Sequence, residues 1–276
     1  MSLPPNLHFS CSALTTNHGH EIHAAKPDEN GAYDVVVGAV GCPTRNNVIY
    51  DTASLVEAMS DTSGRFNICL QDGNLAGEYG HPVIKTKDDI NRLLNIDESK
   101  ISHYFTKIWI DNEHPVTVGG MRGLLIRAKV KPTGPYGEIL RKQLEDPNHN
   151  TSFSIRSLCL PMNGSNPKYE YRQVQVVVTF DAVHAPGFEV ASKRYVPANE
   201  SWSDFTVSQY DLEQCLDKAV GMESAIMLNH HDIDRIRKPT QVLKCNDEIY
   251  QGTDGKLTLL DSQGCPIHAA SLIYGR

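Results

Sequence analysis

Several features that mark particular protein classes are missing from this sequence. No apolar run approaches the ~18 residues that a membrane-spanning helix needs, and Met1–Pro5 lacks the basic and apolar regions of a secretory signal. The seven cysteines are widely spaced and form no Cys-x-x-Cys pair, so neither a disulfide framework nor a zinc site is expected. These absences predict a cytoplasmic protein without a membrane partner, whose cysteines are mostly buried thiols.

The signatures of nucleotide and nucleic-acid binding are missing as well. There is no phosphate loop of the Walker type and no dinucleotide fingerprint. Lys and Arg are scattered rather than gathered in a basic stripe, and 26 basic against 33 acidic residues give a formal net charge of −7. An excess of negative charge disfavours broad contact with nucleic acid. We therefore expect no nucleic-acid partner.

The length and composition are typical of a globular protein. The 276 residues, 40% of them hydrophobic and 21% charged, suffice for one large domain or for a domain with an appendage. Residues 1–30 are polar and predict a flexible arm. A linker-like segment after Tyr195 separates a folded body, residues 31–195, from a C-terminal extension, residues 196–276. We expect the extension to be either removable or an element of assembly.

The hydrophobic pattern predicts the α+β class, with a β-rich, mostly antiparallel body and peripheral helices. The predicted strands are 33–40, 65–70, 103–111, 124–130, 152–160 and 173–180. The predicted helices are 51–59, 86–94, 135–145, 208–220 and 224–237, followed by a hairpin with its turn at 253–256.

Three segments carry candidates for acyl-transfer chemistry. In Gly77–Pro82 (GEYGHP), two glycines and the following proline constrain the backbone around His81. In the next segment, strand alternation places Ser152 and Ser154 on one face. The third candidate, Asp181, ends a β-rich run, where a carboxylate at the margin of a buried element needs a partner. A base, a nucleophile and an orienting acid are the three roles that a serine hydrolase requires.

The three segments resemble the signatures of the tailed-phage prohead maturation proteases, which share a fold with the herpesvirus assemblins. The resemblance consists of Gly-Glu-x-x-His-Pro around His81, the Phe-Ser pair at Ser154 and the Asp-x-Val-x-x-Pro-Gly segment beginning at Asp181. It covers roughly residues 30–195, which makes the folded body the protease domain. It implies an assemblin-like antiparallel sheet or barrel and a Ser154, His81 and Asp181 triad, with no metal or cofactor.

The resemblance also implies a function. Such enzymes are serine endopeptidases that cut scaffold and capsid proteins after glutamate, inside the assembling prohead in the host cytoplasm. The implied partners are phage scaffold or core and capsid proteins, and the implied location includes the virion. A homo-oligomer is compatible with this function. The sequence does not distinguish a precursor from a mature form.

Two expectations concern glutamate recognition. A pocket for a glutamate side chain needs a cation, and the candidates are Arg122, Arg127 and Arg156. Arg156 lies two residues after Ser154 on the same strand face. This position is equally consistent with support of the oxyanion region and with an ordinary solvated arginine. Short motifs ending in glutamate occur in the chain at Ala76–Glu78, Gly187–Glu189 and Gly221–Glu223. We hypothesise that self-processing after Glu223 removes the C-terminal tail.

Alternatives remain open at this point. Ile155 and Ser157 stand where the family often has a small residue or serine and a glycine. Ser152 is the alternate nucleophile, and His184 is the alternate third member. The main alternative function is a non-catalytic structural or scaffold component of the prohead. A metal-dependent hydrolase is the third possibility, and it would use His18, His20, His23, His230 or His231.

Overall fold

The computed structural model describes much of the chain, and the statements below concern that part. The described residues are 7–14, 24–44, 46–83, 90–149, 151–184, 205–207, 211–214, 228–237, 250–251, 257–260 and 266–267. For 7–14, 90, 205–207 and the residues after 249, only the backbone is described.

The described elements are mainly strands, with short helices between them. The strands are β1 (Leu7–Leu14), β2 (Tyr33–Val40), β3 (Val48–Tyr50), β4 (Ala76–Glu78), β5 (Ile101–Val118), β6 (Met121–Pro132), β7 (Ser152–Met162), β8 (Glu170–Val183), β9 (Phe205–Val207), β10 (Tyr250–Gln251), β11 (Leu257–Leu260) and β12 (Pro266–Ile267). The helices are α1 (Thr52–Ser60), α2 (Arg65–Gln71), α3 (Ile90–Leu94), α4 (Gly137–Glu145) and α5 (His230–Arg237), with a 3₁₀ turn at Glu98–Lys100 and a helical turn at 211–214.

The first sheet is built around β7 and β8, in the strand order β3-β8-β7-β1-β9. β8 is buried along nearly its whole length, which fits its run of Val174, Val176, Val177 and Val178, since a strand covered on both faces is apolar throughout. β7 and β8 are antiparallel, and β3 joins the start of β8 in parallel. This central pair carries two of the candidate site residues.

The second sheet has the order β2-β6-β5-β4. β5 and β6 form a hairpin whose turn consists of Gly119 and Gly120, with φ of 59° and 80°. Glycine adopts these left-handed angles without strain. β4 is a three-residue edge strand, and directly after it Tyr79 forms a parallel bridge with Ala182 of β8. The chain thus passes from the second sheet to the first next to the candidate site.

Side chains from both sheets and from the helices share one hydrophobic core. Ile126 and Ala128 come from the second sheet, and Ile155 and Phe180 come from the first. Helix α1 packs on β8, and Asp51 caps its N-terminus by accepting a hydrogen bond from Ser54 N at 2.8 Å. Within the described residues, every helix is too short or too polar to traverse a bilayer.

The α+β class and most predicted elements are confirmed, and two details are corrected. Neither main sheet closes on itself within the described residues, so the barrel form of the body is not observed. The strand predicted at 65–70 is wrong, because these residues form α2. Phe66, Cys69 and Leu70 are spaced as on one helix face and are buried. The carboxylate of Asp232 stabilises this helix start by accepting from Arg65 N at 2.9 Å.

The N-terminal segment differs from the expectation, whereas the described C-terminal elements agree with it. Residues 7–14, placed by the sequence in a flexible arm, form β1 and pair with β7 and β9. Their apolar residues recur at every second position, which is the strand period. At the other end, β10 and β11 pair antiparallel across the predicted hairpin turn. Of the predicted helix 208–220, residues 211–214 are described and helical. The domain boundaries remain a prediction.

Candidate active site

Two neighbouring strands place a candidate nucleophile opposite a candidate acid. In the β7–β8 pair, Ser154 is the register partner of Asp181, and both side chains are fully buried. The connection between the strands, residues 163–169, is rich in Asn, Gly and Pro, which favour tight turns. Directly opposed residues of antiparallel strands have Cβ atoms about 5 Å apart, so the register alone makes the two side chains neighbours.

His81 reaches this pair from the segment that follows β4. Gly80 N donates a hydrogen bond to Ala182 O at 2.7 Å, which ties the segment to β8 beside Asp181. Gly80 has a φ of 84°, a conformation that residues with side chains rarely adopt. The chain therefore turns immediately before His81, as the glycine in the motif predicts.

The imidazole of His81 contacts both partners. Its Nε2 forms a short hydrogen bond with Ser154 Oγ, and its Nδ1 lies 2.9 Å from Asp181 Oδ2. With its proton on Nδ1, the ring donates a hydrogen bond to the carboxylate, and the unprotonated Nε2 is free to accept a hydrogen bond from the Ser154 hydroxyl. The His81 side chain is 20% exposed, whereas Asp181 is fully buried.

Asp181 is held as a carboxylate by several donors. Glu78 N donates to its Oδ1 at 3.0 Å, and Arg156 donates to it through Nε at 3.0 Å and Nη2 at 2.8 Å. Burial raises the pKa of this carboxyl, but the Arg156 charge and the His81 hydrogen bond outweigh burial and keep the pKa below its usual value. Asp181 is therefore negative at neutral pH and fixes the orientation of the His81 ring.

Arg156 belongs to a buried charge network rather than to solvent. Its side chain is 0% exposed, and besides Asp181 it contacts Glu78 Oε1 at 3.2 Å and donates to Asn95 O at 2.9 Å. Arg92 of α3 donates to Glu78 Oε1 at 2.8 Å and to its other oxygen. The sequence reasoning missed Glu78 and Arg92. The available signal was a glutamate inside a short strand of small residues, where a buried charge needs a cation.

The alternates are placed differently from the residues they would replace. Ser152 is opposite Val183, and its buried Oγ has no hydrogen-bond partner among the described residues. His184 contacts the hydroxyl of Tyr79 at 3.0 Å. The structure thus brings Ser154 and Asp181 to His81, and it directs His184 to Tyr79.

The remaining sequence candidates have other contacts. Arg127 pairs with Asp34 at 2.9 Å and with Asp111 at 3.0 Å, and Arg122 is an exposed residue of β6. His231 contacts Asp61 at 2.6 Å. Within the described ranges, His, Cys, Asp and Glu form no group of three or more that could hold a metal ion. His18, His20 and His23 lie outside those ranges, as do Glu189 and Glu223.

The arrangement has the parts needed for proton transfer from an alcohol. The Ser154 hydroxyl contacts a ring nitrogen whose counterpart faces an ionised carboxylate. In such a set the imidazole accepts the hydroxyl proton as the oxygen attacks an acyl carbon, and the carboxylate stabilises the imidazolium. The geometry is suited to nucleophilic acyl transfer.

Two comparisons of the sequence with known proteins indicate a peptidase family. The sequence profile of the Peptidase S80 family matches residues 9–235. The capsid maturation protease of Pseudomonas phage phiKZ is 27% identical over 187 residues, which span 64% of this chain and 66% of that protein, just under two thirds of its length. The capsid assembly protease gp21 of bacteriophage T4 matches at 16% identity and a TM-score of 0.38, over 66% of this chain and 99% of that one. A TM-score below 0.5 does not establish a shared fold.

The family match covers most of the chain and includes the His81, Ser154 and Asp181 segments. It confirms, at the level of the family, the resemblance that the three motifs indicate. The chain belongs to the Peptidase S80 family.

Proposed function

We propose that this chain is a serine endopeptidase with Ser154 as nucleophile, His81 as general base and Asp181 as the residue that orients His81. The observation that supports this most directly is the pair of contacts made by one imidazole, Nε2 to Ser154 Oγ and Nδ1 to Asp181 Oδ2. Membership of a peptidase family supports peptide-bond hydrolysis as the reaction.

In the proposed reaction, Ser154 Oγ attacks the peptide carbonyl carbon and passes its proton to His81 Nε2. The resulting oxyanion needs nearby N–H donors, each worth about 3 kcal/mol in such sites. When the carbon–nitrogen bond breaks, His81 gives the proton to the leaving amine and an acyl-enzyme remains. A water molecule, deprotonated by His81, then attacks the ester and releases the acid product and Ser154.

The proposed substrates are scaffold and capsid proteins inside an assembling phage head. The support is the name of the phiKZ relative, a capsid maturation protease. The proposed setting is the prohead in the host cytoplasm. A non-catalytic structural role would leave the contacts of His81 with Ser154 and Asp181 without a purpose, so the protease is the better explanation of the site.

We further propose cleavage after glutamate. Of the three cations considered for a glutamate pocket, Arg156 is enclosed by Asp181 and Glu78, and Arg127 is bound by two aspartates. Arg122 pairs with Thr117 beside the Gly119–Gly120 turn, at the opposite end of the β5–β6 hairpin from His103, which pairs with Gly77 of β4. None of the three is therefore assigned to the pocket, and the proposal rests on the resemblance of the motifs to the phage proteases. Paired peptides with glutamate or glutamine before the cut test the idea, and equal kcat/KM values for both peptides would refute it.

Self-processing after Glu223 is also proposed, but the cut C-terminal fragment is not expected to leave the protein. Leu228, Ile233 and Ile236, downstream of that bond, are buried in the main core, and α5 packs on β8. Burial of this size opposes release, so the cut fragment is expected to stay bound to the body. Mass spectrometry under denaturing conditions and size exclusion under native conditions distinguish cutting from release. An intact C-terminus after full activation would refute self-processing at this bond.

A fluorophosphonate probe tests the catalytic assignment without knowledge of the natural substrate, because it forms a covalent bond only with an activated serine. Intact-mass and peptide mass spectrometry are expected to locate one adduct on Ser154. Ser154→Ala and His81→Ala should abolish the adduct, while the matched control Ser152→Ala retains it. A folded wild-type protein that never reacts would contradict the proposal and favour the structural alternative. Reaction at Ser152 would also contradict it, because Ser152 would then be the nucleophile.

A further inference from the structure

The carboxylate of Glu78 occupies an unusual place behind the candidate triad. It is fully buried, yet it lies one residue past the middle of a short edge strand, three residues before His81. Four contacts satisfy it: two from Arg92, one from Asp97 N at 2.9 Å and one with Arg156 at 3.2 Å. Replacing a buried ion pair by well-packed apolar residues is often neutral or stabilising, so the stability of the fold alone does not require a glutamate here.

The charge of Arg156 creates a difficulty that Glu78 resolves. Arg156 makes three nitrogen–oxygen contacts of 2.8–3.0 Å with Asp181, the residue that must stabilise a positive His81. A lone Arg156–Asp181 pair has no net charge, so little negative potential would remain at the ring. Adding the Glu78 carboxylate makes the buried group of three net negative. Arg92, on the far side of Glu78, is 23% exposed and therefore better screened by solvent.

We propose that Glu78 is a positioning residue for the base. Its carboxylate holds Arg156 against Asp181 and offsets the Arg156 charge, so that Asp181 keeps an oxygen and a negative potential for His81. This inference rests on the proposed serine endopeptidase function and adds a fourth residue to its machinery. Glu78 contributes twice, because its backbone N–H also donates directly to Asp181 Oδ1 at 3.0 Å.

The magnitude follows from the chain of contacts. Steps of 3.2, 2.8 and 2.9 Å lead from Glu78 Oε1 through Arg156 and Asp181 to His81 Nδ1, so the two ends lie within about 9 Å. At an effective dielectric constant near 20, one charge at that distance moves a pKa by about one unit. Among the described residues, the charged or titratable groups near the His81–Asp181 pair include Arg156 on β7, Glu78 on β4, His103 on β5, Arg92 on α3, Asp97 before the 3₁₀ turn, and the contacting pair Tyr79 and His184.

The test is an NMR titration of the His81 ring in the full-length chain. All samples carry Ser154→Ala to prevent self-cutting, and His81→Gln identifies the signal. Glu78→Gln is expected to lower the pKa of His81 by about one unit, because a negative charge is lost. Arg156→Gln is expected to raise it, because a positive charge is lost. Glu98→Gln, which removes an exposed carboxylate, is the control and should leave it unchanged.

In the same variants with Ser154 restored, the acidic limb of the pH profile of kcat/KM should move in the same direction as the pKa of His81. If Glu78→Gln does not fold, the half-buried Arg92→Gln provides the second variant, and it should raise the pKa of His81 by less than one unit. An unmoved His81 titration in the folded variants overturns the inference. Because this readout needs no activity, it separates failure of the Glu78 role from failure of the protease assignment, which the fluorophosphonate probe reports.

Discussion

Mild acid is expected to destabilise this fold through one buried histidine, His103. The residue lies at the β4–β5 pairing, fully buried, with its ring edge-to-face against Phe105 at 4.7 Å and Phe153 at 5.3 Å between centroids. Its Nδ1 is hydrogen-bonded to Ser102 Oγ at 2.9 Å. Burial lowers the pKa of His103 from 6.5 to about 4, and the Asp181 charge and the Phe180 carbonyl oppose this effect only in part.

The direction of the pH effect follows from the two pKa values. The folded state binds the His103 proton less readily than the unfolded chain, so the contribution to stability is complete above pH 6.5 and falls as the pH approaches 4. A gap of this size corresponds to about 3 kcal/mol when fully developed. Between about pH 7.5 and about pH 5, the loss from this group is about 2 kcal/mol.

Urea unfolding at these two pH values measures the loss as a change in the free energy of unfolding. Other groups titrate in the same range, so the informative quantity is the difference between wild type and His103→Gln. The variant is less stable at both pH values, but its stability should fall by about 2 kcal/mol less on acidification. Equal losses in the two proteins would show that His103 is not held neutral by burial, and the reasoning would be refuted.

Three further outcomes are expected. Asp181→Asn should lower kcat/KM on a glutamyl peptide by about 10⁴-fold with the fold retained, because the imidazole loses its orienting carboxylate; a loss below tenfold would contradict its role. Gly77→Ala should destabilise the fold by several kcal/mol, since its methyl would lie 2.3 Å from a backbone carbonyl and a buried ring, whereas Gly73→Ala, at positive φ in open space, should cost about 1–2 kcal/mol. Ile236→Ala should lower the free energy of unfolding by about 2–5 kcal/mol, and exposed Asp234→Ala by less than about 0.5 kcal/mol; equal effects would deny α5 a place in the core.

Local patterns predicted most of the elements because the pattern and the cause lie in the same stretch of chain. Apolar alternation predicts β2, β5, β6, β7 and β8, and all are confirmed, with β5 and β6 longer than expected. Two exceptions are β1, whose residues were expected in a flexible arm, and α2, a short run whose apolar spacing fits a helix but was interpreted as a strand. Short apolar runs are ambiguous because propensity is weak at that length.

The site was predictable in its residue types and less so in its surroundings. The glycines of Gly77–Pro82 indicate a constrained backbone at His81, and Gly80 has the positive φ that such a position requires. Arg156 could not be placed from the sequence, because an arginine on a strand face is equally consistent with solvent. Its burial depends on Glu78 and Asp181, which lie 78 and 25 residues away along the chain.

Short motifs and hydrophobic periodicity are properties of neighbouring residues, so they suffice to predict the family, the β-rich α+β class and the order His, Ser, Asp of the candidate chemistry. Folding is needed to bring the His81 ring to Ser154 and Asp181, 73 and 100 residues away, and to place His184 against Tyr79. Strand register and the bridge between the two sheets set those contacts, and both depend on packing between distant segments that no local pattern encodes.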